Sequence, residues 1–130
     1  LHAVFYPVGS SWEKSDVVMY ANGFGNPDEG DTSLKSFIDA DVKTFTREDP
    51  QIKVNVPEPI IIEKNKKAEI REFLGGEKGN FESVAYIKEE SSIITLVLSS
   101  RSEKLFNQSQ VAFQELLKNY VYIGNKLKME

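Results

Sequence analysis

The stretch Phe81-Glu82-Ser83-Val84-Ala85-Tyr86-Ile87-Lys88, then Glu89-Glu90-Ser91-Ser92, then Ile93-Ile94-Thr95-Leu96-Val97-Leu98-Ser99, decides the fold. Two strand-like arms flank four polar residues, which is a hairpin signature. In the second arm Ile93, Thr95 and Val97 point to one face, while Ile94, Leu96 and Leu98 point to the other. A strand apolar on both faces is normally central and covered on both sides. A layer must therefore lie on each face of the sheet, and the two helical segments of the chain are the candidates.

Upstream, Ile60-Ile61-Ile62, a Lys64-Asn65-Lys66 turn and Lys67 to Leu74 form a second hairpin, followed by the loop Gly75 to Asn80. From Gln51 to Val56, the residues Ile52, Val54 and Val56 alternate with polar ones, the period of a half-buried strand. Pro57 and Pro59 put that strand near an edge or a bend. Before it, Leu34, Phe37, Ile38, Val42 and Phe45 recur at helical spacing, with Lys35, Asp39 and Lys43 on the opposite side. Asp31, Thr32 or Ser33 can cap this helix, and Pro50 marks its stop. Earlier still, Val4-Phe5-Tyr6 reads as a short strand and Asp16 to Asn22 as another, and the glycine-rich run from Gly23 to Gly30 reads as a break.

Downstream, Ser100-Arg101-Ser102-Glu103 fits a capping box. Phe106, Phe113, Leu116, Leu117 and Tyr120 follow on one helical stripe. The tail from Gly124 to Glu130 is polar and expected to fray. The order is β-β-α, about five strands in hairpins, then α. The class is α+β: a mainly antiparallel sheet with helices on both faces, an α/β/α sandwich. No repeat or linker divides residues 1–130, so one domain is expected.

Composition narrows the function classes. The net charge is -4 and the pI about 5.1. An acidic surface repels phosphate backbones, and the one dense basic stretch, Lys64-Asn65-Lys66-Lys67, reads as a solvated turn, so nucleic acid is not an expected partner. The chain has no Cys, which removes thiol catalysis and thiolate zinc sites. No apolar run approaches the roughly 20 residues of a membrane-spanning helix. The chain starts at Leu1 and goes directly into a strand-like segment, which suggests a signal or boundary upstream.

No catalytic motif stands out, and no metal or cofactor is expected. His2 is the only histidine and has no triad context. Asp28, Glu29 and Asp31 resemble a calcium loop only loosely, since their spacing is not that of an EF-hand. Gly23-x-Gly25 and Gly75-Gly76-x-x-Gly79 lack the strand–loop–helix context of a phosphate loop. Four residues are more informative. Glu69 and Arg71 share a face of one strand, and Glu82 and Tyr86 share a face of the next. Where those faces coincide, they form a charged and aromatic patch; the bland reading is a cross-strand ion pair. Trp12, the sole tryptophan, is either a lid over the core edge or an interface anchor. Arg101 can assist an anion at the strand-to-helix junction, although the capping serines account for that junction without a ligand.

The element order resembles the PsbP-like sandwich, a group that includes DcrB-like periplasmic proteins and Ran-binding Mog-type proteins. The residues that carry the resemblance are Leu34-Lys35-Ser36-Phe37-Ile38 in the first helix, Lys67-Ala68-Glu69-Ile70 after a turn, and the hairpin from Phe81 to Ser99. In the last helix, Phe113 and Tyr120 stand at aromatic positions. The resemblance spans roughly residues 14 to 122 and is a pattern of core positions. It implies the sandwich fold, export to the periplasm or beyond, and an accessory or binding role, with no common active site.

The expectation is a non-catalytic accessory or binding protein acting through a surface patch drawn from Trp12, Glu69, Arg71, Glu82, Tyr86 and Arg101. Its partner would be a protein or an envelope component. Two alternatives stand beside it. One is a hydrolase with a carboxylate site, for example Glu82 with Glu69, which requires two acids in one cleft with pKa values driven apart. The other is a small-ligand carrier, which requires a cavity of roughly 300 Å³ or more between sheet and helix.

Overall fold

The computed structural model describes residues 3–5, 16–25 and 33–120. Among the described residues seven strands form an antiparallel sheet: β1 (Ala3–Phe5), β2 (Val17–Gly25), β3 (Lys53–Asn55), β4 (Ile60–Ile61), β5 (Lys67–Gly75), β6 (Asn80–Lys88) and β7 (Ser92–Ser100). Six lie in the order β1-β2-β7-β6-β5-β3, and the two-residue β4 pairs with the start of β5. Helix α1 (Leu34–Glu48) joins β2 to β3; α2 (Glu103–Gln108) and α3 (Gln110–Lys118) follow β7. The fold is α+β, with a helical layer on each face of the sheet, as the two-faced apolar strand requires.

The two faces bury separate cores. On one, Phe106, Phe113 and Leu117 from α2 and α3 pack against Ala68, Ile70, Ala85, Ile87, Leu96 and Leu98. On the other, Ile38 of α1 packs with Phe73, Val84, Tyr86 and Val97, and Leu34, Phe37, Val42 and Phe45 join it. Phe45 stacks on Phe73 with ring centroids 3.8 Å apart and planes at 9°. Because β2 and β3 lie on opposite sides of the β7-β6-β5 core, α1 must cross that core diagonally. This crossing places the middle of α1 above β6 and its C-terminal end above the β5–β6 turn.

That turn is held by Asp49, the residue that ends α1. Its carboxylate accepts from the backbone N–H groups of Glu77 (3.1 Å), Lys78 (3.2 Å) and Gln51 (3.3 Å). Gly76 sits at φ +75°, and a Cβ there would fall on the Asp49 carboxylate. Glycine is required both for the backbone angle and for the space. The Gly75-Gly76-x-x-Gly79 motif is therefore a turn, with all three glycines at positive φ.

Three boundaries differ from the sequence expectation. Gly23 to Gly25 continue β2 instead of breaking it, because β7 offers partners as far as Ser92. The cap of the last helical segment is Ser102, whose Oγ accepts from Leu105 N at 3.2 Å. Ser100 still belongs to β7; its hydroxyl donates to the Asp16 carbonyl at 2.6 Å and accepts from Ser102 N at 3.0 Å. The segment is also two helices, since ψ of -3° at Ser109 opens the backbone between them while Phe106 and Phe113 both still reach the core. The first helix is capped by Ser33, which accepts from Ser36 N at 3.1 Å.

Candidate functional site

The pairing register brings the side chains of the α1-covered face into rows. One row runs Val18, Ser99, Glu82, Phe73, Val54; the next Tyr20, Val97, Val84, Arg71; the third Asn22, Thr95, Tyr86, Glu69. Glu69, Arg71, Glu82 and Tyr86 thus do share one sheet face. They do not form an open patch, because α1 lies over it. Tyr86 is fully buried, and Glu69, Arg71 and Glu82 are half-buried. Arg71 turns its guanidinium to the Ile70 carbonyl at 2.7 Å.

Under α1 the face opens into two clefts that share Phe45 and Glu82. The first, about 130 Å³, is lined by Tyr20, Asn22 and Phe24 of β2, Phe37 and Asp41 of α1, and Thr95 and Val97 of β7, with Val84 alongside Glu82 on β6. The second, about 220 Å³, lies at the end of α1 among Glu48, Asp49, Ile52, Phe73, Lys78 and Asn80. Phe24 and Phe37 touch at 5.2 Å between ring centroids, and Phe37 meets Tyr86 edge-on at 6.1 Å.

Two carboxyls define the electrostatics of the first cleft. Asp41 accepts from the Tyr86 hydroxyl at 2.6 Å. Burial pushes the Asp41 carboxyl above its ordinary range, and the Tyr86 hydrogen bond offsets part of this. Glu82 accepts from Ser99 Oγ at 3.0 Å and Asn80 Nδ2 at 2.9 Å. It too is raised, chiefly by burial and further by Asp41, against those two hydrogen bonds. The Tyr20 hydroxyl is pushed up to about 12 by burial and by the charges of Glu82 and Asp41. Tyr86 is raised by burial and by its bond to Asp41.

A second polar knot lies at the far end of the sheet. Buried Glu89, in the β6–β7 turn, takes the Lys66 ammonium and the Tyr120 hydroxyl. This ties the β4–β5 turn to the end of α3 and has no cleft beside it among those described.

The other sequence candidates fall elsewhere. Arg101 is exposed at the β7–α2 junction and lines neither cleft, and Ser100 and Ser102 already occupy the neighbouring N–H groups. Trp12, His2 and the Asp28-Glu29-Asp31 loop lie outside the described residues. Among the described residues no group of three or more His, Cys, Asp or Glu side chains is placed to hold a metal. Sequence reading missed Asp41 itself. The signal was present: Asp41 stands within the Phe37, Ile38, Val42, Phe45 stripe, so a carboxylate points where apolar packing was expected.

The fold is similar to that of PA94 from Pseudomonas aeruginosa, a protein of unknown function described as a candidate regulator. The two superpose with a TM-score of 0.68 over 92% of this chain and 81% of that one, at 10% identity. At that identity the likeness concerns the fold alone. No family model and no curated protein sequence matches the chain. Among the described residues no helix is long and apolar enough to cross a membrane.

Proposed function

We propose that the protein is a non-catalytic accessory or binding protein and that its binding seat is the trough between α1 and the sheet. The observation that carries this reading is the convergence of Asp41, Glu82, Tyr20 and Phe37 on one cleft that opens at the surface between a helix and a sheet. Ligand sites favour such concave places, with an apolar lining and a few convergent polar groups. The trough replaces the open patch expected from the sequence; of the five candidate residues that are described, only Glu82 is in its lining.

A carboxylate-based hydrolase is the second reading, because Asp41 and Glu82 share a cleft. Glu69, the partner first considered for Glu82, lines neither cleft. An acid and a base need pKa values driven apart. Here burial drives both carboxyls in the same direction, and each is already held by neutral donors, the Tyr86 and Ser99 hydroxyls and the Asn80 amide. A carrier of a drug-sized ligand is less favoured still, since neither cleft alone reaches roughly 300 Å³. Membership of the PsbP-like group, export, and a protein or envelope partner belong to the same proposal. The element order β-β-α, five strands, then two helices supports the first of these, and the other two follow only from that resemblance.

A fragment titration followed by amide NMR tests the proposal. Binders should shift the resonances of Tyr20, Asn22, Phe37 and Asp41. Binders that instead cluster around Arg101 and α2 would remove the trough as the seat. Turnover of ester or glycoside substrates by the protein, abolished in Glu82→Gln, would remove the non-catalytic reading.

A further inference from the structure

Resting on the reading of the trough as a binding seat, we propose that the cleft under Asp41 takes an alkylammonium group, carried by a free amine or by a lysine side chain. The sign of the charge comes first. Among the described residues the cleft is lined by two carboxyls and by no Lys, Arg or His. Asp41 and Glu82 are held by neutral donors, the hydroxyls of Tyr86 and Ser99 and the amide of Asn80. Among the described residues neither forms an ion pair. Half-buried carboxylates without a counter-charge are costly, and a bound cation relieves that cost.

The rest of the lining selects which cation. Phe24, Phe37, Phe45 and Tyr20 supply aromatic rings, whose faces attract ammonium and guanidinium groups. Val84 and Val97 supply an apolar floor for a methylene stem. A divalent metal wants about six to eight oxygen ligands, and this lining is mostly carbon. Size separates the organic cations. At about 130 Å³ the cleft is well below the roughly 300 Å³ of a drug-sized pocket, so it suits a short chain of a few heavy atoms. Butylammonium has that size, and so does the end of a lysine side chain.

The same arrangement makes binding depend on pH. Facing Asp41 are Glu82 and Tyr86 from β6 and Tyr20 from β2, with the Arg71 guanidinium of β5 acting on Tyr86. On α1 itself, Asp39 and Lys43 are on the exposed side. Both carboxyls titrate above their ordinary range, and an ammonium ion binds their ionised forms. Affinity therefore rises as pH climbs through those raised values.

The test is an amide NMR titration of the whole chain with n-butylammonium and, separately, with n-butanol. Saturable shifts at Tyr20, Asn22, Phe37 and Asp41 are expected with the ammonium, at least tenfold tighter than with the alcohol and tighter at pH 8 than at pH 4. Asp41→Asn and Glu82→Gln, which keep shape and one acceptor oxygen each, should each weaken ammonium binding at least tenfold. Equal binding of the alcohol, or full affinity in both variants, overturns the inference. A neutral fragment that occupies the trough while the ammonium does not overturns the inference and leaves the seat standing. Silence of those amides toward every fragment overturns both. In a further arm, Nα-acetyl-lysine methylamide binding more tightly than n-butylammonium supports a lysine side chain as the source, and the reverse order supports a free amine.

Discussion

At the scale of single residues, Asp41, seven residues after Leu34 within α1, and Asp49, which caps that helix one residue after Glu48, behave oppositely. Asp49 is held below the ordinary carboxylate range, first by the Lys78 N–H, then by the Glu77 and Gln51 N–H groups and the Lys78 charge. A lowered folded-state pKa contributes stability above the unfolded value, near pH 4, and that stability is lost as pH falls through the folded value. Asp41 is raised, so whatever it contributes is present at low pH and is lost as pH rises through its folded value. Asp49→Asn should therefore flatten the acid side of the stability profile. Asp41→Asn should stabilise at pH 7 and leave stability at pH 3 nearly unchanged. Urea unfolding of both variants between pH 3 and 8 reads the two signs directly. Gly76→Ala has a simpler outcome. The left-handed backbone costs about 1–2 kcal/mol with a Cβ, and displacing Asp49 adds to it. A loss above about 2 kcal/mol in urea unfolding is expected.

At the scale of elements, the β4–β5 turn carries its own defect. Lys64 and Asn65 stand at φ 56° and 58°, and Lys66 N donates to the Glu63 carbonyl at 3.1 Å. Positive φ at both central positions is the type I′ pattern, which prefers Asn-Gly. Lys64→Asn, which puts the preferred residue at the first central position, should raise stability by up to about 1 kcal/mol, read as a higher urea midpoint at unchanged slope. Much of this level was legible in the sequence. Alternation from Ile52 to Val54 located an edge strand, and the two-faced Ile93–Leu98 run located the central one. What escaped had physical reasons. Gly23 and Gly25 have no side-chain preference for strand, so only their partner β7 makes them one. Ser100 and Ser102 offer the same cap chemistry, and the sheet decides between them by keeping Ser100. The site was half legible: the shared face of Glu69, Arg71, Glu82 and Tyr86 follows from period-2 alternation. Its cover by α1 follows from a long crossover, which local pattern does not encode.

For the whole molecule, the two cores are separated by the sheet, and Ile38 and Ile87 belong to different ones. Ile38→Val and Ile87→Val should each cost about 0.5–1.5 kcal/mol, and the double variant should equal their sum within about 0.5 kcal/mol. A clear excess in urea unfolding would mean that the sheet transmits strain between its faces. The strand order has a different consequence, one of timing. β5, β6 and β7 pair with their neighbours in the chain, but β2 has only β1 and the far-off β7, with Val17 opposite Ser100. During synthesis at roughly 5–20 residues per second, the Val17-Val18-Met19-Tyr20 run emerges early and waits on the order of seconds for its partner strand. Pulse-labelled hydrogen exchange during refolding should find β5 to β7 protected before β2. Until residues 92–100 leave the ribosome, β2 is a sticky edge that lacks its long partner strand, and a holding chaperone would find its client there.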